Sequence, residues 1–583
     1  MTPGKKNETV LKNEIHLKYG TGKHGADMSQ GGHPRILIVG AGPVGQLAAL
    51  LLSNHGVPSL LVDKRRAPLS APKAHAVNPR TLEICESIGV SAARLRALGA
   101  DANDGGEVRF VGTLTGPEFG SLPYERQDEA ALRDTPFPLS NIPQPVFERE
   151  LISAIADHDD IDFRRGVECT GLADEGNCVL ADLRDGDSGA TRSCAFEHVI
   201  AADGAGSSLR RALGIAMEGP EAIQEFLMIH YSVDLRRYTE GRRGVLYFLF
   251  DPAVRGTLIA YDQARTWVLM HPWDPTSEHL ADYGEARCQA LLSAAVGRPV
   301  PDAVVENISP WSMSAQIAAR YRCGRVFLAG DAAHRFPPAG GLGLNTGAGD
   351  VQNLTWKLAA VLSGAAGSDL LETYEEERRP VARINSEQSL MNAGRLFELF
   401  AAIHGTDHGG TEHGIAEHYA AVAADPGAFP ELGAAVAAQK PHFDSFALQL
   451  GYRYDSRAIH EPAPPRPLTN VADYQPTWEA GAHFPHRWVT VDGDHKALQQ
   501  LLPANRFSLL QGPGAASPGN GLGLNELRWG ADFVDESSWT EQTGLPETGA
   551  LLIRPDGHIA ARFLCVADGS VESALDSLLA RAD

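Results

Sequence analysis

The chain has 583 residues, a formal net charge of −22, 43% hydrophobic and 21% charged residues, a globular balance whose length alone suggests about four domains. The acidic excess disfavours nucleic-acid or anionic-membrane binding, which need clustered positive charge, and no apolar run reaches the ~20 residues that span a bilayer. Seven scattered cysteines without a C-x-x-C fit neither a disulfide framework nor a zinc site, and point to a reducing, cytoplasmic compartment.

Residues 1–33 have no apolar core and read as a flexible tail, not a secretory signal. Order is expected from residue 34. Ile36-Leu37-Ile38-Val39 is short, apolar and β-branched, the pattern of a strand buried on both faces. It runs into Gly40-Ala41-Gly42-Pro43-Val44-Gly45 and a helix over 46–52, and a second strand, Leu60-Leu61-Val62, ends at Asp63 and Lys64. In such a unit Gly40 permits the tight turn, Gly42 lets a pyrophosphate approach the backbone, and Gly45 lets helix and strand pack closely. The helix opening at Pro43 and Val44 presents free N–H groups and a positive dipole end to the phosphates, and Asp63 accepts hydrogen bonds from an adenosine ribose. Strand, helix, second strand and acid together specify a dinucleotide site, but do not separate FAD from NAD.

Residues 199–210 form a strand ending in D-G-x-x-S-x-x-R, with Asp203 and Arg210 at its ends. From about 226 to 273 apolar residues alternate in strand fashion, separated by turn residues, which reads as an antiparallel sheet. Tyr231, Tyr247, Tyr261, His271 and Trp273 are its candidate substrate-pocket residues, although aromatics at period two equally suit a sheet core. Arg325-Val326-Phe327-Leu328-Ala329-Gly330-Asp331-Ala332-Ala333-His334 is a strand ending in G-D-A-x-H. It is followed by Pro337-Pro338-Ala339-Gly340-Gly341-Leu342-Gly343-Leu344-Asn345-Thr346-Gly347 and a helix through Trp356. Histidines 404, 408, 413 and 418, with 442 beyond, are interleaved with Gly405, Gly409 and Gly410, and read as a flexible loop rather than a metal site.

The three motifs, in this order, resemble those of the class A flavoprotein aromatic hydroxylases, the para-hydroxybenzoate and phenol hydroxylase family, from about residue 34 to the C-terminus. The resemblance implies one FAD, NADPH or NADH as reductant with no separate nicotinamide domain, and insertion of one oxygen atom from O2 into an electron-rich ring through a flavin C4a-hydroperoxide. In the family's frame Asp331 binds ribityl hydroxyls, and the backbone of Gly341, Gly343, Leu344 and Asn345 faces the flavin pyrimidine edge. Pro337 and Pro338 lie beside flavin C4a. Their fixed φ and missing N–H suit a rigid oxygen pocket. Pro143-Gln144-Pro145-Val146-Phe147-Glu148 resembles the family's P-Q-x-x-x-E, whose Gln touches FAD, and 371–380 is similar to its L-x-x-Y-x-x-E-R-x-P. Lys73 stands where the family usually has Arg, keeping the charge without the planar fork. His75 takes the place of an acid that helps deprotonate the phenol, and a histidine near its ordinary pKa can share that proton.

The fold expected is α/β. An FAD-binding Rossmann-like domain (34–218 and 320–400) is interrupted by an antiparallel β substrate domain (219–319, with part of 105–142). A helical linker (401–450) and a thioredoxin-like domain without C-x-x-C (451–583) follow, the last serving packing or dimerisation in a homodimer. The function expected is hydroxylation of a phenolic or aromatic compound. The alternative is tailoring of a polycyclic, polyketide-type aromatic, including oxidative ring cleavage. The W-x-W-x-I-P of flavin-dependent halogenases is absent.

Overall fold

A computed structural model describes residues 35–580 except 69, 70, 72, 406–411, 465–467, 469, 519–521 and 568. The expected tail, 1–33, and His408 of the histidine-rich stretch lie outside the described residues.

Four short apolar segments that cannot face water supply the centre of the first sheet. Its six strands run in the order Arg322–Cys323, Val326–Leu328, His198–Ala201, Ile36–Val39, Ser59–Asp63, Ile161–Arg165. All pairs are parallel except at the Arg322–Cys323 edge. Parallel strands are covered on both faces, which is why Ile36–Val39 is a continuous apolar run with every residue buried. The helices Pro43–Asn54 and Leu342–Leu362 supply part of that cover. From Ile36–Val39 the chain first builds outward through Ser59–Asp63 and Ile161–Arg165. It then returns to the other side with His198–Ala201, so the strand order reverses there and opens a crevice at the carboxyl ends of the strands.

The second sheet has seven strands, ordered Val304–Met313, Gln224–Ser232, Thr266–Pro272, Gly256–Asp262, Leu246–Leu249, Glu107–Val111, Glu118–Pro123. All pairs are antiparallel except Leu246–Leu249 with Glu107–Val111. Strand alternation gives it two apolar faces. One buries Leu227, Ile229, Tyr231, Tyr247, Trp267 and Leu269 beneath the helix Glu285–Val296. The other carries Ile259, Tyr261 and Val268, and further along Phe110, Phe248 and Phe250. Against the latter pack Leu399, Ile403, Val422, Leu432, Val436 and Phe443, so the described residues of 401–450 are largely helical and share an apolar core with this face of the sheet.

Towards the C-terminus a four-stranded sheet, ordered Asn525–Arg528, Ser508–Gln511, Ala550–Ile553, Ile559–Phe563, packs on the helix Ser570–Leu578. The hairpin turns at Pro555-Asp556-Gly557, where Gly557 has φ +79° and a Cβ would come 2.7 Å from the His483 ring. This turn is bound to the first part of the chain by buried charge. Arg554 donates to both oxygens of Glu377 (2.7 and 2.9 Å), Lys357 Nζ donates to Glu377 at 2.7 Å, and all three side chains are 0% exposed. Arg80 donates to the Asp556 carbonyl and to Gln352 Oε1 (3.0 Å).

Candidate active site

The strand ends bring Gly40, Asp63, Asp203 and Asp331 to one edge of the first sheet. Gly40 has φ +104°, and a Cβ there would lie 2.2 Å from the Ala202 carbonyl oxygen; a Cβ at Gly45 would lie 1.9 Å from the Gly40 carbonyl oxygen. Neither position accepts a side chain. Gly42 is different, because its backbone is ordinary (φ −74°) and a Cβ would meet no protein atom within 4 Å. Its missing side chain leaves room on the open side of the turn, where a ligand backbone can approach. Val44 is held between Gly330 and Gly347, whose Cβ positions would fall 2.9 and 2.5 Å from its Cγ2. The first glycine turn, the G-D-A turn and the Leu342–Leu362 helix therefore interlock at one side chain.

Asp63 is buried and accepts from the Ala41 N–H (3.0 Å) and the Arg65 N–H (2.7 Å). Burial pushes its carboxyl up, but those bonds and the Arg65 guanidinium more than offset it and hold the pKa below the usual carboxylate value. Lys64 beside it is exposed, as is Asp331. Asp203 accepts from the Leu209 N–H (3.2 Å) through one oxygen, while its Oδ1 is buried without a partner. Arg210 is buried and donates from Nη1 to the Ala332 carbonyl (3.3 Å), leaving Nε buried without a partner. The 199–210 and 330–334 motifs thus touch, and both carry unspent polar atoms.

In the turn between them and the long helix, Pro337 is buried and Pro338 exposed. Gly341 has φ +63°, donates its N–H to the Pro338 carbonyl (3.2 Å), and a Cβ there would lie 2.7 Å from Ala76 Cβ. At Gly343 a Cβ would again meet nothing within 4 Å, and Leu344 packs half-buried on the core. The Asn345 side chain bonds only within the protein. Its amide donates to the Ala76 and Gly341 carbonyls (2.9 and 2.8 Å), and its oxygen accepts from the Asn78 N–H and Thr81 hydroxyl (3.0 and 2.7 Å). Every hydrogen-bonding site of an asparagine is then used. The side chain braces the 76–81 segment against the glycine turn.

That brace sets His75 beside the turn. His75 Nδ1 is 2.8 Å from Asn141 Oδ1, and its ring centroid lies 5.7 Å from Tyr124 and 5.6 Å, edge-on, from Tyr261. Burial lowers the His75 pKa from its usual value, only partly countered by Asn141, and burial also raises both tyrosines above theirs. All three rings are uncharged at neutral pH. Gln144 holds the neighbouring backbone, exchanging bonds with the Ala74 carbonyl (2.9 Å) and Ala74 N–H (3.3 Å), and donates to Glu148 (2.7 Å). Lys73 is exposed, and its carbonyl accepts from the Tyr261 hydroxyl at 2.8 Å. Beside Tyr261 a cleft of about 450 Å³ opens, bounded also by Leu98, Pro143, Val146, His230 and Asp262.

Tyr231, Tyr247 and His271 are not in this group. The Tyr231 hydroxyl donates to the Cys288 carbonyl (2.8 Å) and that of Tyr247 to the Arg242 carbonyl (3.2 Å); both rings are wholly buried beneath Glu285–Val296. His271, paired with Leu227 in the strand register, shares their face. Alternation puts Tyr261 on the opposite one, so of these four candidates only Tyr261 faces His75. Of two further residues, Asp350 lies in none of the motifs and Arg378 is the Arg of the 371–380 motif. Asp350, fully buried, accepts from the Gly330 N–H (3.2 Å), His334 Nε2 (2.7 Å) and Arg378 Nε (2.9 Å), and Arg378 donates on to the Thr346 carbonyl and the Tyr454 hydroxyl (3.0 Å each). Asp350 is the lone acid of the Leu342–Leu362 helix, and that was the available signal.

Against known families, a model described as "FAD binding domain" matches residues 34–389, and one described as "Aromatic-ring hydroxylase, C-terminal" matches 477–582. The chain belongs to the FAD-dependent aromatic-ring hydroxylases. Tetracenomycin A2 monooxygenase-dioxygenase of Streptomyces glaucescens is 32% identical to this hydroxylase over 94% of this chain and 97% of its own. The 2,4-dichlorophenol 6-monooxygenase of Cupriavidus pinatubonensis is 30% identical, over 94% and 96%. A crystal structure of the flavin-dependent monooxygenase PieE in complex with FAD and substrate superposes with a TM-score of 0.86 at 30% identity, covering 94% of this hydroxylase and 99% of that chain. The chain is a flavin-dependent aromatic monooxygenase with FAD as its cofactor. The crevice fits that group: Gly42 and Gly343 leave open space, Asp203 and Arg210 hold unspent polar atoms, and the Leu342–Leu362 N-terminus supplies a positive helix end. Among the described residues no helix is long and apolar enough to cross a membrane.

Proposed function

We propose that this hydroxylase transfers one oxygen atom from O2 to a phenolic ring held between the Gly341 turn and the Tyr261 face of the second sheet, with NADPH or NADH as reductant. The observation that carries the reading is the neutral His75, bonded through Nδ1 and flanked by Tyr124 and Tyr261, next to the turn in which Pro337 is buried. Bound FAD supplies the redox chemistry, taking a hydride from the nicotinamide and activating O2.

The chain's own residues bind and orient. Gly40, Gly42, Pro43, Val44 and Gly45 shape the turn that takes the pyrophosphate, and Asp63 with Lys64 the ribose end. Asp203, Arg210, Lys73 and Gln144 line the middle of the cofactor site. Asp331 takes ribityl hydroxyls. The backbone at Gly341, Gly343, Leu344 and Asn345 faces the flavin ring, where a helix N-terminus stabilises the negative charge of the reduced form. Pro338 flanks Pro337, which removes an N–H donor and fixes the backbone beside the reacting ring. His75 Nε2 accepts the proton of the substrate hydroxyl, and the phenolate it helps to form offers the ring electron density that electrophilic attack requires.

The domain plan proposed is an FAD-binding domain, 34–218 and 320–400, interrupted by the substrate sheet of 219–319; the return of Val326–Leu328 into the first sheet supports it. The C-terminal sheet and helix support a thioredoxin-like domain in which Cys565, alone and exposed, has no dithiol partner, leaving packing within a homodimer as its role. A second reading, a polycyclic polyketide-type substrate, is favoured by the 450 Å³ cleft beside Tyr261, which offers room for further rings. Substrate-stimulated NAD(P)H oxidation across single-ring phenols and hydroxylated polycyclic quinones tests both readings. Stimulation by either class supports a hydroxylase of that class, and stimulation by none overturns the function.

A further inference from the structure

The orientation of the Asn141 amide is determined by its surroundings. Its Nδ2 donates to the Gly105 carbonyl at 2.9 Å, with Gln127 Oε1 at 3.5 Å, so the amide nitrogen must face that side. Gln127 is in turn fixed by donating to the Gly105 and Tyr124 carbonyls (3.0 and 2.7 Å). With both acceptors on the nitrogen side, Asn141 Oδ1 is the atom presented to His75 Nδ1 at 2.8 Å. An amide oxygen has no proton to give, so the proton in this bond belongs to Nδ1. Asn141 is 2% exposed and its strand, Ser140–Asn141, pairs with Ala76–Val77, so the side chain has no room to turn away.

We infer that Asn141 is the positioning residue that fixes His75 in its Nδ1–H tautomer and thereby leaves Nε2 as the bare, proton-accepting nitrogen turned to the substrate. The inference rests on the role proposed for His75. The tautomer assignment itself rests only on the hydrogen-bond geometry. Among the described residues no group bonds Nε2. The titratable groups facing the ring are Tyr124 and Tyr261, both protonated, so neither competes as a base. A carboxylate in Asn141's place would hold the same tautomer; the neutral amide fixes it without the negative charge that would raise the histidine's pKa and protonate Nε2 before substrate arrives.

Imidazole ¹⁵N–¹H long-range spectra of FAD-loaded enzyme labelled at histidine nitrogen test this, with the His75 signals assigned by their loss in His75→Gln. Wild type is expected to show a protonated Nδ1 and a bare Nε2. Asn141→Asp, which keeps the acceptor oxygen, is expected to show the same. Asn141→Ala is expected to move His75 toward the Nε2–H form and to lower phenol hydroxylation at least about ten-fold, well short of the ~10⁴ lost when a catalytic triad histidine takes the wrong tautomer. An Nε2–H signal for His75 in wild type overturns the inference even if neither Asn141 variant folds, and so does an unchanged spectrum in Asn141→Ala. If the tautomer is as inferred but His75→Gln hydroxylates phenol with wild-type kcat, the base role fails while Asn141's positioning of the ring stands.

Discussion

His75 is already neutral before substrate arrives, which separates its proposed role from that of a charged clamp. Burial holds its pKa below the usual imidazole value, so the ring accepts a proton only in a bond that also stabilises the resulting phenolate. His75→Ala is therefore expected to lower hydroxylation about 100-fold near pH 7, with the deficit shrinking as pH approaches ~10, where a phenol ionises unaided. A pH-rate profile checks this, and a deficit constant with pH contradicts it. At Gly42 the same scale gives a cleaner separation. A Cβ there meets no protein atom, so Gly42→Ala is expected to keep the stability of the FAD-free protein while weakening FAD binding at least about ten-fold, as expected where a ligand backbone comes closest. Gly45→Ala, which would place a Cβ 1.9 Å from a carbonyl oxygen, is expected to lose stability and FAD together. Thermal melts with and without FAD distinguish the two.

At the scale of elements the Tyr231 and Tyr261 strands make the sharpest comparison. Both tyrosines are buried in the second sheet, on strands separated by Thr266–Pro272, yet one faces Glu285–Val296 and the other faces His75. Tyr231→Phe is expected to cost about 1 kcal/mol of stability, since it removes one buried hydrogen bond, and to leave kcat/KM unchanged. Tyr261→Phe, which frees the Lys73 carbonyl beside the cleft, is expected to change KM for substrate. Unfolding midpoints and steady-state kinetics on both variants decide the matter, and a kinetic defect in Tyr231→Phe contradicts the assignment. The same pair explains what was legible in advance. Glycine turns at strand ends are local: Gly40 and Gly45 are dictated by atoms a few residues or one strand away, so the motif and its crevice could be read from residue order. Strand existence was equally plain from alternation. Which face becomes the pocket depends on where a helix 54 residues after Tyr231 folds back, and alternation carries no information about that. The contacts of Asp350, Arg378 and Asn345 were hidden for a related reason, because their partners are far apart in the chain and meet only in the packed fold.

For the whole molecule, the tie between the C-terminal hairpin and the middle of the chain is a buried ionic cluster. Glu377 is held well below the usual carboxylate range: burial opposes its charge, but Arg554 and Lys357 more than compensate. Removing one member leaves uncompensated buried charge, so Glu377→Gln is expected to destabilise by about 3–5 kcal/mol, read by denaturant unfolding. Stability should also fall with acid. Burial holds His442 at about 3 and His558 at about 4. Between those values and ~6.5 the unfolded chain binds protons that the folded chain does not. Their contribution is complete above ~6.5 and is lost as pH falls toward 4, where Asp63 and Asp350, both depressed, begin to add to the loss. Melting temperatures should therefore drop from pH 7 to pH 5, and a flat profile would falsify this. All of these features serve one reaction, and its stoichiometry is the most direct test. FAD-loaded enzyme turning over with NAD(P)H, an accepted phenol and ¹⁸O₂ should place one ¹⁸O atom in the ring of the product for each nicotinamide oxidised under coupled conditions. A hydroxylated product without ¹⁸O, or a protein that takes up no FAD, would contradict the account.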